Sequence, residues 1–498
     1  VKEMLMSRLL SCLLLFFLSL PTFSLANGLE DRVQEHLFSN GLKLLVVERH
    51  TSPTFSAYLT LGVGSVNETD QTRGVAHLLE HMLFKGTKTL GTLDYEAEKI
   101  VLQKIADVGG RLDSERMKPL PDLETISSLE IRLKQLQAEH KKFIVKDEFS
   151  KIYSENGGVG YNAFTSKDLT SYMISLPANK LELWAAIESD RMKNPVLREF
   201  YTEREVVRAE RRRSYDSNPR GLLYENLVAN AFTLHPYRNP IIGWDTDIRN
   251  LTLAETRAFL QRYYAPTNAV ITLVGDLSFE RAVVMVERYF GDIEAGTKVP
   301  NVAAIEPDQK GEKRIAINFD AEPSLSIAYH KPTLPDRRDY VFDVINSLLT
   351  SGPTSRLQRS LLFEQQLVSS IGSYTAPGAR YPNLFVISAS PRYPHTVAEV
   401  EQAIDSELFK LATEPASEVE LSRIRKRLRT DTIRSLGSNS GLANMLSYYQ
   451  SIAGSWRYLV EYEKHIETVT AEEVMSVAKE YFVAQNRTVV VLSKEVTN

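Results

Sequence analysis

The 498-residue chain holds one cysteine, Cys12. Cys12 lies inside the first apolar run, so the chain beyond it can form no disulfide and can offer no thiolate to a metal. Any metal centre must then be built from imidazole and carboxylate, and histidine is scarce, with nine residues in all. A surplus of either charge sign is missing too. The 63 acidic and 59 basic residues leave a formal net charge of −4, which gives no electrostatic footprint for nucleic acid or an anionic membrane surface. After the N-terminal segment no stretch stays apolar for the roughly eighteen residues that a bilayer span requires.

That N-terminal segment has a targeting pattern. Lys2 and Arg8 flank the apolar run Leu9–Leu18, followed by Pro21 and the small-residue exit Ser24-Leu25-Ala26. The layout predicts a cleavable secretory signal over residues 1–26, export to the periplasm or the medium, and no stable membrane anchor after cleavage. The composition, 43% hydrophobic and 24% charged, is ordinary for a globular protein, and the length allows two domains.

The chain is organised around Gly74-Val75-Ala76-His77-Leu78-Leu79-Glu80-His81-Met82-Leu83-Phe84-Lys85-Gly86. On a helix, His77 and His81 project from one face a turn apart, so two imidazole nitrogens can reach one Zn²⁺. Glu80, on the flank of that face, can take a proton from a water that the metal polarises. Read plainly, the same letters describe a core helix with two histidines; His-x-x-Glu-His is also the inverzincin motif.

Around this helix the pattern is mixed. Strands are predicted at Leu42–Glu48, Phe55–Leu59 and Val270–Val274, and a helix begins near Asp94. Between 101 and 155, apolar Ile126, Leu129, Leu133, Leu136 and Phe143 form a heptad-like seam. The segment is either a helical hairpin projecting from its domain or an amphipathic helix packed on the body. Gly296–Glu312, with Pro300 and Pro307, reads as a linker. Beyond it the chain repeats. Leu251-Thr252, Glu255, Tyr263-Tyr264 and Asn268 match Val469-Thr470, Glu473, Tyr481-Phe482 and Asn486 without a gap. Ile327-Ala328-Tyr329 is similar to Ser56-Ala57-Tyr58 at an offset larger by about the length of 101–155. The expected fold is α+β: two homologous α/β-sandwich domains, 27–295 and 313–498, face each other across a chamber, the first with a helical-hairpin insertion at 101–155. The second copy has no His-x-x-Glu-His.

Together with Asn162-Ala163-Phe164-Thr165-Ser166, Asp190-Arg191-Met192, Asn194-Pro195, Glu203-Arg204-Glu205-Val206-Val207 and Glu210, the motif resembles the insulinase/pitrilysin family of zinc peptidases, which includes the mitochondrial processing peptidase. The resemblance implies an endopeptidase holding one Zn²⁺ per chain through His77, His81 and Glu210. Glu80 would be the catalytic base, and Glu203, seven residues before Glu210, would support the site. The interval from His81 to Glu210 exceeds the family's usual spacing in the ~70s by about the length of the 101–155 segment. The resemblance also implies that Asn162, Ala163, Phe164 and Thr165 form an edge strand to which a peptide substrate adds. An Arg/Tyr pair expected in the second domain is replaced by Leu362 and Ser369. Either a homologous subunit supplies that pair, or Arg356, Arg359, Tyr374, Arg380 or Tyr381 does so from nearby. A homodimer is a further arrangement. The rival reading is a non-catalytic, peptide-binding subunit with a vestigial metal site.

Overall fold

The computed structural model describes residues 25–494. The predicted signal segment lies outside the described residues except for Leu25 and Ala26, which open a short helix.

The first sheet contains β1 (Val33–Leu37), β2 (Lys43–Glu48), β3 (Thr54–Leu61), β4 (Val159–Thr165), β5 (Thr170–Pro177) and β6 (Ala269–Gly275). Their order is β1-β2-β6-β3-β5-β4. The second contains β7 (Lys313–Asn318), β8 (Ser324–Lys331), β9 (Val368–Ala376), β10 (Asn383–Pro391) and β11 (Arg487–Ser493), ordered β7-β11-β8-β10-β9. Removing β1 makes the two orders identical, and in both the single parallel pair is the first one, β2 with β6 and β7 with β11. The duplication expected from the repeat is thus visible in the topology.

Strand register corrects one detail of the alignment. Thr272 of β6 corresponds to Val490 of β11 through the matched Asn268 and Asn486. Tyr58 pairs with Thr272, and Ser326 pairs with Val490. Ser326, not Tyr329, therefore holds the place of Tyr58.

β2 is apolar without alternation because both of its faces are covered. Leu44 and Val46 join the large core under the helices of the first half, while Leu45 and Val47 face a different cluster. That second cluster contains Leu442, Ala443, Leu446 and Trp456 from the helical region of the second half. Reciprocally, Leu223, Leu227, Val228 and Ala231 of helix Pro219–Ala231 lie on Ala328, Leu384, Val386 and Val490 of the second sheet. Each half thus lends a helix to the other's sheet.

The 101–155 region forms a hairpin of helices Tyr95–Arg116 and Leu123–His140, and it packs on the body rather than standing clear. Leu129, Leu133 and Leu136 are buried in the main core, with Ile126 and Phe143 partly buried beside them. Arg204 pairs with Asp113 at 3.0 Å, and Gly109 gives room to the ring of Tyr201. The predicted linker has no regular structure but is tied down: Glu306 accepts hydrogen bonds from the backbone N–H groups of Thr233, Leu234 and His235 at 2.6–2.9 Å. No helix among the described residues is long and apolar enough to cross a membrane.

Candidate metal centre

Helix Val75–Met82 buries Val75, Ala76, Leu78, Leu79 and Met82, which turns His77, Glu80 and His81 away from the core. Its N-cap, Gly74, has φ 88°, a left-handed conformation that glycine adopts at little cost, and it supplies no capping side chain. Glu68 does the capping from a distance. Its two carboxylate oxygens accept from Gly74 N–H and Ala76 N–H, each at 2.9 Å. Burial pushes that carboxyl up, to about 8, against the pull of both amides and the Lys167 ammonium.

The second helix, Phe200–Arg211, carries Glu203 and Glu210 two turns apart on one face. Immediately after Glu210 and Arg211 the chain enters a π-helical turn, Arg212–Asp216, a feature common at functional sites. Arg211 anchors this point. Its guanidinium donates to both oxygens of buried Glu225, at 2.7 and 2.9 Å, and to Gly243 O at 2.8 Å.

These two helices bring His77, His81 and Glu210 together, one ligand atom from each lying within 4.8 Å of the others. Nε2 of His77 is 3.8 Å from Glu210 Oε1, and Nε2 of His81 is 3.5 Å from Glu210 Oε2. The donor set fits zinc: ligands bonded at about 2.0–2.1 Å around a tetrahedral ion lie about 3.4 Å apart. Burial, with His81 beside it, lowers the His77 imidazole to about 3, so the ring is neutral and can donate a lone pair.

Glu203 stands behind the histidines. Its Oε2 is 3.5 Å from His81 Nδ1 and its Oε1 accepts from Lys85 Nζ at 2.5 Å. Burial works against the charge of Glu203, but His81 and Lys85 outweigh it and hold the carboxyl below its ordinary value. Glu80 is shifted the other way, raised chiefly by burial and also by Glu210, although Thr165 and His81 pull it down. The Thr165 hydroxyl donates to Glu80 Oε2 at 2.5 Å.

Thr165 ends β4, the edge of the first sheet. Asn162, Ala163, Phe164 and Thr165 pair with β5 on one side only, so the other edge of their backbone is open among the described strands. Ala163 is buried, whereas Phe164 is 39% exposed. Sequence reading missed Glu68, which lies in a loop before the helix. It also missed Lys85, although Lys85 follows His81 at helical spacing.

The residues weighed as substitutes for the Arg/Tyr pair are mostly engaged elsewhere. Arg356 forms a two-point pair with Glu420 at 3.1 and 3.2 Å. Arg380 donates to Gly62 O and Ser451 O, and the Tyr381 hydroxyl accepts from Val302 N–H. Arg359 is exposed, with Glu364 at 3.6 Å. Tyr374 lies on β9, 38% exposed. Leu362 packs against the core of the second half, and Ser369 donates to Ser390 O at 3.2 Å.

Residues 43–116 and 142–245 match the family described as Insulinase (Peptidase family M16), and residues 250–428 match the Peptidase M16 inactive domain. A zinc protease of Helicobacter pylori, PqqE, is 25% identical over 99% of this chain and 100% of its own length. The Bacillus subtilis protein YmxG, an uncharacterized zinc protease, is 20% identical over 90% of this chain and 96% of its own length. Among solved structures, a protease from Helicobacter pylori superposes with a TM-score of 0.77 at 25% identity, covering 93% of this chain and 99% of that one. The Escherichia coli periplasmic protease PqqL shares the fold at a TM-score of 0.69 and 17% identity, covering 93% of this chain and 48% of that one.

Proposed function

Because the chain belongs to the insulinase family of peptidases, M16, we propose that it is a zinc-dependent endopeptidase acting on unfolded peptides or short protein segments. The observation that carries this reading is the convergence of His77, His81 and Glu210, with Glu80 beside them and hydrogen-bonded to the edge strand. When bound, a zinc ion supplies a Lewis acid that polarises a peptide carbonyl and makes water a better nucleophile at neutral pH. His77, His81 and Glu210 would hold it. Glu80 takes the proton of the attacking water and returns it to the leaving amine, and a carboxyl raised by burial suits both halves of that task. Glu203, backed by Lys85, keeps the His81 ring in place. The open edge of β4 offers backbone hydrogen bonds to an extended peptide, a mode largely independent of its side chains.

The match named as inactive spans residues 250–428, which contain no His-x-x-Glu-His; the metal cluster lies wholly within the other match. A homologous subunit, rather than a second copy with the same Leu362 and Ser369, supplies the missing Arg/Tyr function in this reading. The N-terminal apolar run supports export.

The test pairs the wild-type chain, signal removed, with Glu80→Gln on an unstructured fluorogenic peptide library. Cleavage should fall about 10²–10⁴-fold in the variant while about one zinc per chain is retained. Equal cleavage by both proteins, or silence from a chain that binds no zinc, overturns the reading. Silence with zinc bound points to the absent subunit.

A further inference from the structure

Between the first turns of helix Pro219–Ala231 and the face of the second sheet lies a cavity of about 450 Å³. Six serines, Tyr224 and Tyr374 contribute to its wall, and Arg220 is its only charged lining residue.

The duplication explains why this space exists. Helix Pro219–Ala231 is capped by Asn218, and its counterpart Asn439–Ala453 by Ser438. Gly221 and Gly441, three residues after each cap, approach a backbone oxygen in the same way, that of Ser214 and that of Ser435. Arg220 and Ser440 therefore occupy equivalent places. On the sheets, Tyr58 pairs with Met173, and at the equivalent position Ser326 pairs with Ser388. In the first half the Tyr58 ring fills the corner, and its hydroxyl lies 2.9 Å from Ser440 Oγ. In the second half the tyrosine and methionine are replaced by two serines bonded to each other at 2.7 Å, and the serine on the helix is replaced by arginine. Two bulky side chains are gone and one positive charge has been added.

That charge is exposed to solvent and has no protein partner among the described residues. The Arg220 backbone N–H is used by the Asn218 cap, but its guanidinium has no hydrogen bond or ion pair among the described residues. Arg212 and Arg213, both exposed, have none either, in contrast to their neighbour Arg211 with its two-point bond to Glu225. Nine residues, the π turn Arg212–Asp216 among them, lie between Glu210 and Arg220, so one short connection joins the metal cluster to the cavity wall.

Resting on the peptidase reading above, we propose that this cavity is a substrate subsite selecting an acidic side chain, with Arg220 binding the Asp or Glu carboxylate of a peptide laid across the metal centre. A planar guanidinium matches a carboxylate at two points, and the serine hydroxyls can donate to the same oxygens. Arg212 and Arg213 add attraction for an acidic peptide before it docks.

The test uses zinc-loaded Glu80→Gln protein and fluorescent unstructured peptides, blocked at both ends, that carry Glu or Gln at each position in turn. Fluorescence anisotropy should find one position at which Glu binds about tenfold or more tightly than Gln. Arg220→Gln should bring that ratio close to one, and Arg220→Lys should keep part of it. The Arg220 side chain is exposed and makes no hydrogen bond or ion pair among the described residues, so these variants are expected to remain folded. The proposal is overturned if no position favours Glu or if Arg220→Gln leaves the preference intact. Cleavage of the all-Gln peptide by the wild-type chain tests the peptidase reading separately. Cleavage without acid preference removes only the subsite, whereas an Arg220-dependent preference without cleavage keeps the subsite and, with zinc bound, points to the absent subunit.

Discussion

Replacing Glu203 with glutamine removes one charge and almost no volume from a position that is 7% exposed. In the native site Oε1 accepts from Lys85 at 2.5 Å and Oε2 faces His81 Nδ1 at 3.5 Å. An amide has only one accepting oxygen, so its NH₂ must meet either the Lys85 ammonium or the imidazole N–H. Exchanging a charged for a neutral acceptor costs about 1–2 kcal/mol. Loss of a partner behind a metal-binding histidine typically weakens metal binding 10–100-fold, or about 1.4–2.7 kcal/mol. The two routes agree, and zinc affinity should fall about 10–100-fold in Glu203→Gln, measured by competition with a fluorescent chelator at pH 7.5. The pH profile separates charge from shape. The Glu203 carboxyl sits below its ordinary value of 4.5, so its contribution is present above that value and is lost as pH falls through the lower, folded one. Wild type and variant should therefore converge only in acid, below the ordinary carboxyl value of 4.5. A change smaller than about threefold at pH 7.5, in a variant with native circular dichroism, would refute the role assigned to Glu203.

Other perturbations probe the scaffold. In Gly109→Ala the new Cβ would stand 2.0 Å from the Tyr201 ring, so the helical hairpin must shift. The melting temperature should drop by the equivalent of about 1–3 kcal/mol, and an unchanged melt would show that the contact is slack. Glu225→Gln strands buried Arg211 and should cost about 3–5 kcal/mol, read as a lowered melting temperature, while a loss within a degree or two contradicts the anchoring argument. Asp343 accepts from the Tyr462 hydroxyl at 3.0 Å, and burial, reinforced by Asp339, pushes its carboxyl from 3.8 to about 7. Between those values the unfolded chain releases a proton that the folded chain keeps, so this stabilisation is full in acid and is lost as pH rises through about 7. Asp343→Asn should flatten the fall in melting temperature between pH 5 and pH 8; an undiminished slope places the titration elsewhere.

Legibility in the sequence followed the range of the interactions. His77, Glu80 and His81 share one helical turn, and Glu203 and Glu210 share another helix, so spacing alone showed that each set lies on one face. Bringing the two helices together needed the family resemblance, because nothing local joins Glu210 to His81. Glu68 escaped notice because its partners are backbone N–H groups, which leave no mark in the letters. The duplication was readable from Thr252, Glu255 and Asn268 with their counterparts, since both copies use the same Thr/Glu capping box. The Tyr58–Tyr329 match failed for a physical reason: a strand position is defined by its hydrogen-bonded neighbours, and the neighbour of Val490 is Ser326. The apolar face of helix Pro219–Ala231 was visible in principle, but periodicity says that a face is buried and not which sheet buries it.

The exchange of helices between the halves has a consequence for synthesis. A nascent chain finishes its first sheet with β6 near residue 275, yet Leu45, Val47, Tyr58 and Val270 gain their cover only when the segment Leu436–Val460 emerges, well over a hundred residues later. For that interval one face of a completed sheet is bare and open to wrong partners. Helix Pro219–Ala231 is meanwhile made early and must wait for a sheet that does not yet exist. Neither half is then an autonomous folding unit, despite the linker between them. Severing the chain at 296–312 should give two fragments that are insoluble apart and recover only when they are refolded together.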